Sequence, residues 1–80
     1  MEDLVRYIVS HLADEGEYTI TSENESDKVV IINIKASKDS IGKIIGRNGK
    51  IANGIRSIVK SASLKSDKRY IVKVGEMESV

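Results

Sequence analysis

The chain has 80 residues, of which 40% are hydrophobic and 31% are charged, and its formal net charge is +1. This composition is typical of one small globular domain and excludes a chain that is disordered throughout. The chain contains no cysteine and a single histidine, which excludes a disulfide framework and argues against a zinc site.

The sequence does not support a secreted protein or a membrane-spanning one. The amino-terminal residues, which include Glu2 and Asp3, do not form the basic and then apolar run of a secretory signal. No stretch approaches the ~20 consecutive apolar residues that a membrane-spanning helix requires. We therefore expect a cytoplasmic protein that needs no metal or cofactor and does not contact a membrane.

The charges are divided unevenly along the chain. Residues 1–42 carry four basic and nine acidic side chains, whereas residues 43–73 carry nine basic side chains and one acidic. Such a division within one small domain is typical of a surface that binds a polyanion. A solvated helix face rich in lysine is the alternative explanation.

The first predicted element is an amphipathic helix over residues 2–15, which ends before Gly16. Its apolar residues recur at helical spacing and are Leu4, Val5, Ile8, Val9 and Leu12. His11 falls in the predicted last turn, where an imidazole faces the negative end of the helix dipole. We interpret His11 as a capping or solvent-facing residue and not as a catalytic one.

A β-hairpin is predicted next. Residues 17–22 alternate polar and apolar side chains, and residues 28–36 form a denser apolar run. The turn between them is predicted at residues 23–27, a usual length for such loops. The near-continuous apolar run from Val29 to Ile32 predicts that the second strand is the more buried one and is central in its sheet.

Two helices follow the hairpin. Ser37 is the predicted N-cap of a short helix that has Asp39 in its first turn and ends at Gly46. A longer helix is predicted over residues 50–64, and we expect Gly54 to allow close packing there. The predicted apolar stripe of this helix is Ile51, Ile55, Ile58, Val59 and Ala62. The predicted polar stripe is Lys50, Asn53, Arg56 and Lys60.

The last predicted element is a strand over residues 69–74, after a turn at residues 66–68. Tyr70, Val72 and Val74 share one face of this strand. The order α-β-β-α-α-β predicts an α+β fold, with a three-stranded mixed sheet and the helices packed on one face. We expect a single domain over residues 1–80, with a core of about residues 2–75 and a flexible tail at residues 76–80.

The most informative segment is the Gly-Arg-Asn-Gly run at residues 46–49, which lies between the apolar faces of the two helices. Glycine allows a ligand to approach the backbone closely. Arg47 and Asn48 lie between the glycines, with Lys43 and Lys50 on either side. Cations and an amide in this position suit a ligand that carries phosphates, and nucleic acid is the leading candidate.

The run from Ile44 to Ile51 resembles the Gly-x-x-Gly signature loop of the KH domain. An apolar pair precedes the loop, an isoleucine follows it by two residues, and an amphipathic helix and one strand complete the pattern. The element order resembles the type II KH arrangement of bacteria. The length of the chain is similar to that of the small single-KH-domain RNA-binding proteins of the bacterial KhpA family, over about residues 2–75.

This resemblance implies that the chain binds single-stranded RNA, with four nucleotides held at the loop. It implies an RNA-binding set of Lys43, Ile45, Gly46, Arg47, Asn48, Gly49, Lys50 and Ile51. It also implies further contacts from an apolar groove and a basic face, at Ile41, Ile44, Asn53 and Arg56. The apolar groove is expected between the loop isoleucines and the central strand. Tyrosine is the only aromatic residue type present, so the groove is expected to be aliphatic.

The family further implies a post-transcriptional regulator or RNA chaperone, and a homodimer or a heterodimer with a second KH-containing protein. Two other functions stay open. One is a protein-interaction adaptor that keeps the KH fold and acts mainly through a partner KH protein. The other is an enzyme, which we do not expect, because the spacing of P-loop and dinucleotide-binding motifs is absent. A plain helix–helix turn is the structural alternative for the two glycines.

Overall fold

The structure is a computed structural model that describes residues 1–77. The helices are α1 (Glu2–Ser10), α2 (Lys38–Ile45) and α3 (Lys50–Ser63), and a 3-10 turn (Arg47–Gly49) separates α2 from α3. The strands are β1 (Tyr18–Asn24), β2 (Val29–Ala36) and β3 (Arg69–Glu76). The predicted order α-β-β-α-α-β and the α+β fold class are therefore confirmed.

The three strands form one mixed sheet in the order β1-β2-β3. β1 and β2 pair antiparallel, with Ile20 opposite Ile34, whereas β2 and β3 pair parallel, with Ile32 beside Val72. The central position predicted for β2 is confirmed. Parallel neighbours need a long connection, and α2 and α3 supply it across one face of the sheet.

The core lies between this face of the sheet and the helix layer. β2 contributes Ile32, Ile34 and Ala36, each with no exposed surface. The helices contribute five buried side chains, which are Val5, Val9, Ile44, Ile55 and Val59. Burying one such side chain stabilises the fold by roughly 1.5–3 kcal/mol, so this layer fixes where α2 and α3 stand on the sheet.

The first helix is shorter than predicted, because it ends at Ser10. Beyond it the backbone N–H of Leu12 donates to the carbonyl of Val9 over 2.9 Å, so the chain tightens into a turn. His11 occupies the C-cap position, and its Nδ1 donates to the carbonyl of Tyr7 over 2.9 Å. This is a capping contact, as the sequence predicts for His11.

The buried face of α3 differs from the predicted stripe. Ala52, Ile55 and Val59 are buried, whereas Ile51 is 38% exposed and Ile58 is 47% exposed. Ala62, also assigned to the stripe, is exposed. The predicted stripe was wrong because alanine contributes little to an apolar sequence pattern. Ala52 nevertheless lies on the side of the helix that is buried. The close packing predicted at Gly54 is wrong too, since a Cβ there would meet no atom within 4 Å.

Two strand ends and one capping contact also differ. β1 continues to Asn24, which shortens the hairpin loop to residues 25–28. β3 continues through Glu76, and the N–H of Met77 donates to the carbonyl of Ala36 over 2.8 Å, so the start of the predicted tail is paired. Residues 78–80 of that tail lie outside the described residues. Ser37 holds the N-cap position, but its hydroxyl donates to Glu17 over 2.6 Å instead of capping α2.

Candidate nucleic-acid interface

The loop between α2 and α3 is a tight turn with left-handed backbone at three of its four residues. The φ angle is 74° at Gly46, 56° at Asn48 and 76° at Gly49. Asparagine is one of the few residues other than glycine that tolerates this region. Residues 46–49 therefore reverse the chain sharply, and α3 begins directly behind them at Lys50.

Glycine is favoured at the two loop positions, 46 and 49, for different structural reasons. A Cβ at Gly46 would lie 2.6 Å from Cγ1 of Ile51, so the missing side chain lets Ile51 pack against the loop. A Cβ at Gly49 would meet nothing closer than Nδ2 of Asn53 at 3.9 Å. Gly46 therefore serves the packing of the loop, and Gly49 is the glycine that leaves open space beside the backbone.

Positive charge surrounds this loop. Lys43, Arg47 and Lys50 are all exposed. Within residues 1–77 the one ion pair joins Arg6 to Glu2, so the loop cations are not neutralised by carboxylates. The first turn of α3 contains no acidic residue and no side-chain cap. The N–H groups of Gly49 and Lys50 donate to the carbonyls of Gly46 and Arg47, and the positive end of the helix dipole faces the loop and favours an anion there.

The isoleucines beside the loop divide into core and surface. Ile44 has no exposed surface and belongs to the core, and Ile41 is partly buried against it. Ile45 and Ile51 are each 38% exposed. Ile45 and Ile51 are thus the isoleucines with exposed surface beside the loop, whereas Ile44 is enclosed in the core.

Polar side chains continue from the loop along one face of α3. Gly49, Asn53, Arg56 and Lys60 follow one another at spacings of four, three and four residues, which places them on one side of a helix. Oδ1 of Asn53 accepts from Nη1 of Arg56 over 3.2 Å. Nε of Arg56 donates to the carbonyl of Val72 over 3.3 Å, so this arginine ties α3 to strand β3.

A groove of about 520 Å³ lies between α3 and β3. Its cationic side chains are Arg56, Lys60, Lys68 and Arg69. Its larger apolar side chains are Leu64, Tyr70 and Ile71, of which Leu64 is 78% exposed. The groove is open along the edge of the sheet and is lined by both cations and apolar surface, as a site for an extended anionic ligand would be.

This groove is not the one that sequence reasoning described. The predicted groove lay against the central strand, but the helix-facing side chains of β2, Ile32 and Ile34, are fully buried in the core. The signal in the sequence was the run of cations Lys65, Lys68 and Arg69 around the turn before β3, of which Lys68 and Arg69 line this groove.

A second cavity, between α1 and β1, has a different character. Asp14 and Glu15 line it together with Arg6, so its charge is mixed.

In the part of the chain that the structure describes, no three side chains of the metal-ligating types stand close enough to hold a metal ion. None of the helices in residues 1–77 has the length and apolar content that a membrane span needs.

The chain is similar to known proteins over nearly its whole length. The sequence model of the KhpA/KhpB KH-domain family matches residues 2–74. The RNA-binding protein KhpA of Clostridium perfringens is 35% identical over 74 residues, which cover 92% of this chain and 99% of that protein. KhpA of Caldanaerobacter subterraneus is 38% identical over the same extent. KhpA of Listeria monocytogenes is 33% identical over 76 residues, which cover 95% of this chain and all of that protein. With its type II KH fold and this extent of similarity, the chain belongs to the KhpA/KhpB family of KH-domain proteins.

Proposed function

We propose that this chain binds single-stranded RNA, as one KH domain, through the loop at residues 46–49 and the groove between α3 and β3. The observation that carries the proposal is the uninterrupted path along α3. It begins at the open space beside Gly49, passes Asn53 and Arg56, and ends in the cationic groove. The relatives named RNA-binding proteins support the choice of RNA as the ligand.

The loop is the clamp for the RNA backbone. Arg47 supplies a cation and Asn48 supplies an amide, so both can contact phosphate oxygens. The positive end of the α3 dipole favours a phosphate at the same place. Lys43 and Lys50 raise the local positive potential, which speeds the approach of an anion.

The groove holds the bases that follow the clamped backbone. Ile45 and Ile51 offer aliphatic surface beside the loop, and Leu64 and Tyr70 offer apolar surface further along. Asn53 and Arg56 present hydrogen-bonding groups between them, and Asn53 already has its oxygen bonded to Arg56. Few phosphates and mainly aliphatic contacts give one such domain a modest affinity, which is the regime of an RNA chaperone or post-transcriptional regulator in the cytoplasm.

Pairing with a second KH domain would raise this affinity, since linked sites act at a high effective concentration. The family name, which joins KhpA and KhpB, supports either a second copy of this chain or a related KH protein as the partner. Ile58, which is 47% exposed in the middle of α3, offers an apolar side chain for such a contact. This is also the surface on which the adaptor alternative would depend, and a non-enzymatic role fits both.

Fluorescence anisotropy with short single-stranded RNA tests the site. Arg47→Asp/Asn48→Asp places two carboxylates in the clamp, so we expect binding to fall by roughly a hundredfold or more, as repulsion replaces charge-assisted contacts. The matched control is Asn24→Asp/Lys38→Asp, which makes the same kinds of substitution at exposed positions outside the loop and the groove. We expect this control to bind within a few-fold of the wild type.

Three results would count against the proposal. RNA binding that survives in the loop variant would place the site elsewhere. Equal losses of RNA affinity in the loop variant and in its control would show that binding depends on overall charge and not on the loop. A folded wild type that binds no RNA but forms a complex with a KH partner would favour the adaptor function.

A further inference from the structure

The face of the sheet that carries no helix holds a group of cations. Alternation along β2 and β3 turns Lys35, Arg69 and Lys73 away from the core, and all three are exposed. Lys73 lies in register beside Asn33, which is two residues from Lys35. The strand spacing and rise place the backbones of Lys35 and Lys73 about 8 Å apart, and those of Arg69 and Lys73 about 13 Å apart. We call this surface the outer sheet face.

Carboxylates are kept to one border of the outer sheet face. Its outward positions on β2 and β3, within Val29–Ala36 and Arg69–Glu76, contain no aspartate or glutamate. Its one carboxylate among the described strands is Glu23 on β1, and that group accepts a hydrogen bond from Nδ2 of Asn33 over 3.3 Å. The half of this face next to β3 is therefore cationic, and its charge is complementary to a polyanion.

The centre of the outer sheet face is aliphatic. Ile31 and Ile71 are neighbours in the parallel register, and each is at least partly buried although no helix covers them. Neither belongs to the core cluster between the sheet and the helices. Ile31 is only 8% exposed, so the apolar surface that this face offers a ligand comes from Ile71, with cations on either side of it.

The outer sheet face is continuous with the groove. Arg69 and Ile71 line the groove between α3 and β3, yet alternation also assigns them to the outer sheet face. β3 is an edge strand, so a ligand that leaves the groove has only the thickness of one strand to cross. We propose that a single-stranded RNA longer than the groove continues over the edge of β3 and contacts Lys35 and Lys73 through its phosphates.

This inference rests on the proposed function, because the RNA reaches the outer sheet face from the groove. It also goes beyond the loop and groove, because it gives one small domain two contact surfaces on opposite sides of β3. RNA that fits within the groove does not use the second surface. The dependence on Lys35 and Lys73 is therefore expected to appear only with longer RNA.

Anisotropy titrations with RNA of about 5 and about 20 nucleotides test this length dependence, since a KH loop clamps about four nucleotides. Lys35→Gln/Lys73→Gln removes both cations without touching a groove-lining residue. For the longer RNA we expect roughly tenfold weaker binding and a log–log salt slope that is smaller by about 1.4, from two lost phosphate contacts. For the shorter RNA we expect binding within about twofold of the wild type, because its phosphates do not reach these lysines.

The matched control is Lys38→Glu, which changes the net charge by the same amount at one exposed position at the start of α2. Circular dichroism confirms that each variant is folded. Equal losses for both RNA lengths, a similar loss in the control, or no loss with the longer RNA would each overturn the inference. Failure of the proposed function looks different, because the wild type would then fail to bind the short RNA as well.

NMR chemical-shift mapping gives an independent readout on the wild type. The longer RNA is expected to shift the backbone amides of Asn33 and Lys35, whereas the shorter RNA shifts only those of the loop and the groove. Identical shift patterns for the two RNAs would contradict the second contact surface.

Discussion

At the scale of single residues, the loop depends on one contact that the sequence did not reveal. Gly46 combines a φ of 74° with a ψ of 177°, a region that is essentially restricted to glycine. The side chain of Ile51 fills the place where a Cβ would stand. The shape of the loop and the position of Ile51 are thus fixed together.

Substitution of the two loop glycines is expected to separate their roles. Gly46→Ala should lower the free energy of unfolding by roughly 2–4 kcal/mol, from backbone strain and overpacking against Ile51. Gly49→Ala should cost only about 1 kcal/mol, because its φ is unfavourable for alanine but the space beside it is open. Urea denaturation of both variants measures the difference.

The double variant Gly46→Ala/Ile51→Gly serves as the control for the clash, because alanine at position 51 would keep a Cβ only 2.8 Å from the one added at position 46. If the clash is real, the two substitutions are non-additive, and the double variant recovers roughly 1 kcal/mol or more of the Gly46→Ala loss. Strictly additive effects would leave only backbone strain as the reason for glycine at position 46.

At the scale of elements, side-chain contacts at the amino-terminal end of α1 tie this helix to β1. The hydroxyl of Ser22 donates to Oε2 of Glu2 over 2.7 Å, and Nη2 of Arg6 donates to Oε1 over 2.9 Å. The hydrogen bond from Ser22, and then that from Arg6, hold the pKa of the Glu2 carboxyl below its ordinary value of 4.5. The charged carboxylate is therefore the form that docks α1 on the sheet.

This contact predicts an acid-sensitive helix α1. Because the pKa of Glu2 is lower in the folded state, its contribution to stability is present above pH 4.5 and is lost as the pH falls through the folded value. Hydrogen exchange of α1 amides should rise relative to that of β2 over this range. Glu2→Gln should remove the pH-dependent part, and an unchanged profile in that variant would contradict the assignment.

The elements themselves follow from local sequence more than the groove does. Periodicity located each helix and strand, because apolar residues of the buried faces repeat at fixed spacing, as Ile32 and Ile34 do in β2. The loop at residues 46–49 was readable because glycine and asparagine mark left-handed backbone. The groove was not, since it depends on which strand forms the sheet edge and on Arg56 reaching Val72 across 16 residues.

At the scale of the whole molecule, the basic half of the sequence becomes a connected basic surface. Lys43, Arg47 and Lys50 surround the loop, and the cations of the groove follow along α3 and into β3. This arrangement arises because α2, α3 and β3 are consecutive in the chain and adjacent in space. The acidic side chains of the first 42 positions lie mainly on the hairpin and around α1.

The connected basic surface predicts that RNA binding depends strongly on salt. With three or four phosphates contacted, the log–log slope of affinity against salt concentration should be about −2 to −3 for a short single strand, at ~0.7 per phosphate. Anisotropy titrations over a series of salt concentrations measure the slope. A slope near zero would show that phosphates are not clamped, even if RNA binds.

The two open edges of the sheet are each met by an arginine from a packed helix. Arg56 of α3 donates to the carbonyl of Val72 on β3, and Arg6 of α1 lies 3.4 Å from the carbonyl of Ile20 on β1. Exposed strand edges invite pairing with other chains and can seed aggregates. Each arginine occupies one carbonyl near the middle of an edge strand, which disfavours edge-to-edge pairing of this three-stranded sheet with other chains. A domain this small can therefore keep its β3 edge accessible to a ligand without becoming a template for fibres.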